Sequence, residues 1–162
     1  VCDITYIYTT DDKFCYLHLV TDAFSRMVIG YVLAPTLEAK YTIEALQQAI
    51  SHAGSGNLCG TIHHSDRGVQ YCCDEYITQL KAHHIRISMT EDSNPTDNGM
   101  AERVNGIIKN EFLEPLQTPK NLLEALPLVD HAVRTYNTLR PHLSLNMRTP
   151  AQVYEGNNNF IG

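Results

Sequence analysis

Three runs of β-branched and aromatic residues crowd the start of the chain, with too little sequence between them for a helix. Val1 to Thr10 carries Ile4, Thr5, Tyr6, Ile7 and Tyr8; Phe14 to Val20 and Met27 to Leu33 follow. Such runs read as strands. The first connection is the turn Asp11-Asp12-Lys13 and the second the polar segment from Thr21 to Arg26. A parallel crossover needs about a dozen residues or more, so strands this close must pair as an antiparallel meander. Pro35-Thr36 ends it. Thr36 is a suitable N-cap for a helix in which Ile43, Leu46 and Ile50 recur through Ala53, before Gly54 and Gly56 stop the run. Leu58 to His63 then reads as a fourth strand, which after a helical crossover runs parallel to the first. Cys72 to His83 reads as a second helix and Ile85 to Met89 as a fifth strand. The expectation is an α/β domain with a five-stranded mixed sheet flanked by helices.

The second half reads as helices. Thr90 to Thr96 is a polar loop without periodicity, expected to move. Thr96 or Asp97 then caps a helix running to about Glu114. From Thr118, with Pro119 at its first position, Leu122, Leu126, Val129, Val133 and Tyr136 mark another helix, which Pro127 should kink or divide. Thr149-Pro150-Ala151-Gln152 has the form of a capping box opening a last helix through Tyr154. With neither repeat nor linker, the 162 residues form one core domain, 1–156, and a tail, 157–162.

Composition narrows the function. No apolar run approaches the ~20 residues of a membrane span, so no membrane partner is expected. The five cysteines contain no C-x-x-C pair, which suits reduced thiols in a cytoplasm better than a disulfide framework. Net charge is −6. Three basic and six acidic residues precede Ile62, and nine and twelve follow, so each part is −3 and neither is basic. Neither part offers the basic surplus that tight electrostatic binding of a polyanion needs, which leaves chemistry at acidic groups as the reading to follow.

Three carboxylates occupy positions that invite such chemistry. Asp3 interrupts a strand expected to be covered on both faces, where an unpaired carboxylate is costly unless it meets a cation or an open cleft. Asp66 follows the fourth strand, and sites in open α/β sheets gather at carboxyl ends of strands. Glu102, with thirty-five residues between it and Asp66, falls in the first turns of a helix. At about 100° per residue, Asn105 and Lys109 lie within about 60° of Glu102, whereas Met100, Val104, Ile107 and Ile108 lie opposite. Asp22 reads as a turn residue. The pairs His63-His64 and His83-His84 do not make a zinc site, because adjacent histidines on a strand point apart and no thiol has ligand spacing. Arg140-Pro141-His142 reads as a structural stop.

The segments Asp3-Ile4-Thr5-Tyr6-Ile7, Asp22-Ala23-Phe24-Ser25-Arg26, His64-Ser65-Asp66-Arg67-Gly68-Val69-Gln70-Tyr71, Asp97-Asn98-Gly99-Met100-Ala101-Glu102 and Tyr136-Asn137-Thr138-Leu139-Arg140-Pro141-His142 resemble the insertion-sequence transposases of the retroviral-integrase superfamily. The resemblance runs in order from Asp3 to about Tyr154. It implies a ribonuclease-H-like fold, a catalytic and metal-binding triad of Asp3, Asp66 and Glu102, and two Mg²⁺ or Mn²⁺ ions. The implied activity is DNA strand cleavage followed by strand transfer through a 3′-hydroxyl. Asn105 and Lys109 are expected to face the DNA end, joined by Arg67 and His64. Arg67 with Gly68 would also shape the turn, and His64 would either touch substrate or support the strand end. The alternatives are a nuclease of the same fold that only hydrolyses, or a catalytically silent DNA-binding or assembly module. Asp3 lies two residues from the first residue, so an upstream helix-turn-helix segment in a longer protein is expected. So are a homo-oligomer in the active complex and a bacterial cytoplasmic location, at the nucleoid when acting.

Overall fold

The computed structural model describes residues 1–54, 58–89 and 99–158, without the side chains of 157 and 158. The expected loop at Thr90–Thr96, its cap at Thr96 or Asp97, and Gly56 lie outside these residues.

The meander forms as read. Strands β1 (Cys2–Thr9), β2 (Lys13–Thr21) and β3 (Val28–Ala34) pair antiparallel in the order β1-β2-β3. Helix α1 (Ala39–Ala53) follows, packed so tightly that a Cβ on Gly30 of β3 would run into the Ala45 carbonyl. Strands β4 (Ile62–Ser65) and β5 (Arg86–Met89) pair parallel, across a short α2 (Val69–Cys72) and α3 (Asp74–Ala82). Helix α4 (Gly99–Ile107) runs on into a π-helical segment, Ile108–Leu113. Then come α5 (Leu122–Thr138), a 3₁₀ turn (Leu143–Leu145) and α6 (Pro150–Asn158).

The three-stranded sheet separates two cores. On one face Ile7, Cys15, Leu17 and Leu19 meet Val104 and Ile108 and the α5 residues Val129, Val133 and Tyr136. On the other, Cys2 and Val20 meet Ile43, Leu46 and Ile50 of α1 with Tyr71, Tyr76 and Leu80. Leu17 and Leu80 are wholly excluded from water, each contributing about 2 kcal/mol of transfer free energy.

Six expectations change. The five strands do not form one sheet: among the described residues they hydrogen-bond as three plus two. Strand β4 has only four residues and begins at Ile62, not Leu58, because Leu58 to Gly60 turn, with Thr61 N–H bonded to the Leu58 carbonyl and Gly60 at φ 88°. Its link to β1 is through side chains, with Cys2 Sγ 3.0 Å from His63 Nε2. Thr36 is not the cap of α1. Glu38 holds that position, and Thr36 donates its hydroxyl to Glu38 instead. Helix α5 starts at Leu122, capped by Asn121, because Pro119 and Lys120 are held extended by backbone bonds from Thr10 and Asp11. Pro127 does not divide α5. The carbonyl it leaves unbonded belongs to Leu123, whose 77% exposure gives that turn access to water. The expected helix to Glu114 changes character after Ile107, becoming π-helical.

Two local readings hold in detail. Thr149 and Gln152 form a reciprocal capping box, N–H to side chain in both directions, at 2.9 and 3.3 Å. Asp22 is a turn residue whose Oδ2 accepts from Ser25 N–H and Oγ–H.

Candidate active site

Strand alternation puts Asp3 on the same side of β1 as Ile7, the side that packs on α4. Its Oδ2 accepts a 2.6 Å hydrogen bond from Asn105 Nδ2, one turn beyond Glu102 on α4. Burial pushes the Asp3 carboxyl up to about 6. The Ile4 N–H and the Asn105 amide oppose this, while the charges of Asp66 and Glu102 add to it. Asp66 and Glu102 therefore lie within Coulombic reach of Asp3, and the three carboxylates share one neighbourhood.

Asp66 is exposed in the turn immediately after β4, as expected. Its Oδ1 accepts from Gly68 N–H at 2.8 Å, which orients the carboxylate without a charged partner. A Cβ on Gly68 would stand 2.9 Å from that same oxygen, so a side chain there would push the Asp66 carboxylate out of its present position. Glu102 is exposed in the first turn of α4. The ion pairs found among the described residues are Lys40–Glu38 and Arg140–Glu111; none neutralises these three acids.

That donor set suits a hard divalent cation. It offers carboxylate oxygens without protein countercharge, and the buried Asn105 Oδ1 beside Asp3 has no partner among the described residues. The three side chains do not close into a ready-made metal cage: among the described residues no group of three His, Cys, Asp or Glu meets that geometry. Uncompensated like charges repel, and no lysine or arginine holds these together.

The remaining predicted residues divide. Asn105 is buried and donates to Asp3, so on α4 it turns toward the carboxylate cluster. Lys109, in the π-helical segment, lines a groove along β1 with Tyr6, Tyr8 and Phe14. Arg67 is exposed beside Asp66, and its carbonyl receives the Cys72 thiol. His64 bonds through Nδ1 to Ser88 Oγ of β5 at 2.9 Å, so it supports the strand end. His63 points the other way, its Nε2 within 3.0 Å of Cys2 Sγ and 2.8 Å of Tyr76 OH, and burial holds it neutral, with its pKa down to about 4. Among the described residues, neither histidine joins a metal cluster.

Sequence reading missed two contacts that hold the site together. The Cys2–His63–Tyr76 group ties β1 to β4, the strands bearing Asp3 and leading to Asp66. Asn137 clamps the start of β3, its Oδ1 accepting from Val28 N–H and its Nδ2 donating to the Val28 carbonyl. Neither leaves a local signal, because the Cys2–His63 and Asn137–Val28 contacts join residues 61 and 109 positions apart. The Arg140 guanidinium binds Glu111 at 2.6 Å through two nitrogens, and His142 packs edge-on against Tyr136. These contacts agree with a structural stop at Arg140-Pro141-His142.

A carboxylate cluster astride a strand, a strand-end turn and a helix, in an α/β domain of this order, defines a catalytic core of the ribonuclease-H-like class. Residues 1–95 match the model of the integrase core domain, and 83–150 match a second model of the same description. The chain belongs to the integrase core domain family. It is 35% identical over 118 residues (71% of this chain, 42% of the relative) to the protein assigned as transposase for insertion sequence element IS986/IS6110 of Mycobacterium tuberculosis. It is 32% identical over 150 residues (93% of this chain, 51% of the relative) to transposase InsF for insertion sequence IS3A of Escherichia coli K12. The chain thus spans about half or less of the length of these relatives. Among solved structures, the HTLV-2 integrase catalytic core domain in complex with magnesium, in a dimeric form, superposes with a TM-score of 0.72 at 28% identity, covering 94% of this chain and 92% of that one.

Proposed function

We propose that this domain is the catalytic core of an insertion-sequence transposase, cutting DNA strands at the element's ends and joining the 3′-hydroxyl to target DNA. The observation that carries the reading is Asp3, a carboxyl lifted to about 6 inside a site that also holds Asp66 and Glu102 without a countercation. Such a site is poised for external positive charge. Asp3, Asp66 and Glu102 would hold two Mg²⁺ or Mn²⁺ ions. When bound, these supply Lewis acidity that activates the attacking water or 3′-hydroxyl and offsets charge on the departing oxygen.

The chain's own residues do the positioning. Asn105 fixes Oδ2 of Asp3, and the Ile4 N–H adds a backbone hydrogen bond to the same carboxyl. The Gly68 N–H fixes Oδ1 of Asp66. Glu102 projects from a helix that packs on β1 through Val104 and Ile108, so its backbone is anchored while its carboxylate stays accessible. Exposed Arg67 and partly buried Lys109 are candidates for DNA phosphates, while His64 is bonded to Ser88 of β5. The same reading places the domain in a longer bacterial protein, with an upstream helix-turn-helix segment that recognises element ends, acting as a homo-oligomer in the cytoplasm at the nucleoid.

A strand-transfer assay with labelled element ends in Mn²⁺ tests this. Joined products that disappear with Asp66→Asn and with Glu102→Gln are expected. Cleaved ends without joining would select the hydrolase alternative. Wild-type activity surviving both substitutions would dismiss the triad.

A further inference from the structure

A second cavity, of about 490 Å³, lies beside α4 and is lined by Arg26, Arg103, Tyr136, His142 and Ser144 together with the first residues of the helix. Two arginines face it, and no described aspartate or glutamate lines it, in a chain of net charge −6. Among the described residues neither arginine is in an ion pair. Arg26 spends Nη1 on the Ala23 carbonyl at 2.9 Å, and its own carbonyl is held by the Tyr136 hydroxyl at 3.0 Å, so it is fixed at the rim. Arg103 is exposed on α4. His142 shares this wall; its pKa is lowered by burial and by the Arg140 charge, with Arg26 adding a smaller share against the opposing Glu111 carboxylate.

The cavity is continuous with the catalytic region. An adjoining depression on α4 shares Gly99, Arg103 and Ile107 with it and also contains Glu102 and, at its far end, Glu111, whose charge is paired with Arg140. Arg103 is the next residue after Glu102, about 100° round the helix. A polyanionic strand passing Glu102 would therefore meet Arg103 next and then the Arg26–His142 wall.

We infer that the cavity between Arg26, Arg103 and His142 is a binding site for a backbone phosphate of DNA, on the flank of α4 away from Asp3. The ligand is a phosphodiester, held by guanidinium groups in their forked geometry and read without base contacts. The site supplies local affinity that net charge does not. This rests on the DNA reading above, and the test separates the two.

The 162-residue chain is titrated with a fluorescent DNA duplex in chelator, across 50 to 200 mM salt. Each phosphate contact contributes about 0.9 to the slope of log K against log salt. Arg103→Gln is expected to lower the slope by about one and weaken binding on every duplex sequence alike. Arg26→Gln does the same, and the double variant adds little further, because both serve one phosphate. Lys81→Gln, an exposed cation on α3, leaves the slope unchanged. Arg103 makes no hydrogen bond or ion pair among the described residues, so its variant folds even if the Arg26 one does not. Wild-type binding with an unaltered slope in Arg103→Gln, or an equal loss in Lys81→Gln, overturns the phosphate site alone. Absence of wild-type binding to any duplex at 50 mM salt overturns the DNA reading and this site together.

Discussion

Replacing Asp3 with asparagine should make the metal-free protein more stable at neutral pH while abolishing its chemistry. The native carboxyl titrates at about 6 against an ordinary 3.8. Between those values the folded chain keeps a proton that the unfolded chain has released. The native state therefore binds more protons there, and stability falls as pH rises from about 4 to about 6, then levels off. At about 1.4 kcal/mol per pH unit, the two-unit displacement amounts to about 3 kcal/mol, an upper value because Asp3 is only partly screened from water. Asp3→Asn removes this penalty yet keeps an oxygen that can accept from Asn105 Nδ2. It should gain about 1–3 kcal/mol over wild type at pH 8 in EDTA and nearly nothing at pH 4. Urea unfolding of both proteins at pH steps from 4 to 8 gives the difference. Comparison with wild type matters because His18 and His63, held down to about 4 by burial, act oppositely. Their contributions fade as pH falls below 6.5 and cancel between the two proteins. Added Mn²⁺ should narrow the gap, since only wild type offers the full carboxylate set. A stability difference that does not vary with pH, or an Asp3→Asn protein less stable at pH 8, would refute the reasoning.

Other outcomes follow from single contacts. Asn105→Ala should lift the Asp3 pKa further, seen by NMR titration of the carboxyl, and cut strand transfer by roughly 100-fold through misplacement. Gly68→Ala should change unfolding free energy by under about 1 kcal/mol, because the turn is largely exposed, yet reduce activity as strongly as a displaced ligand would; equal activity would show that the turn tolerates the methyl group. Arg140→Lys should lose most of the Glu111 interaction, since lysine cannot reproduce the fork, but only by about 1 kcal/mol given its solvent contact, measured by guanidinium unfolding. His63→Phe should flatten the acid limb of the stability profile between pH 6.5 and about 4, because a buried neutral imidazole gives up its proton on folding.

Much of the architecture is written in short-range signals. The meander follows from three strand-like runs separated by turns too brief for a crossover. The Thr149–Gln152 capping box and the Asp22 turn each need only three residues of context. The position of Asp66 follows likewise from a strand run meeting Arg67-Gly68. The three acids proposed as a triad, and the family resemblance, are legible for the same reason: each sits in a contiguous motif.

What the tertiary structure decided lies between motifs. Angular bookkeeping placed Asn105 beside Glu102 correctly, but only packing against β1 turned that face inward to Asp3, 102 residues away. Thr36 was a sound cap by residue type, but the chain stays extended through Leu37, whose carbonyl takes the Gln70 amide, so Glu38 begins the helix. Pro127 breaks helices in principle, and here the exposed turn before it leaves the lost bond to water. Among the described residues β4 ladders with β5, not with β1, to which it is held by Cys2, His63 and Tyr76. Propensity and capping are properties of a few neighbouring residues, so the sequence determines them by itself; which buried group faces which depends on distant elements meeting, and only the folded chain decides that.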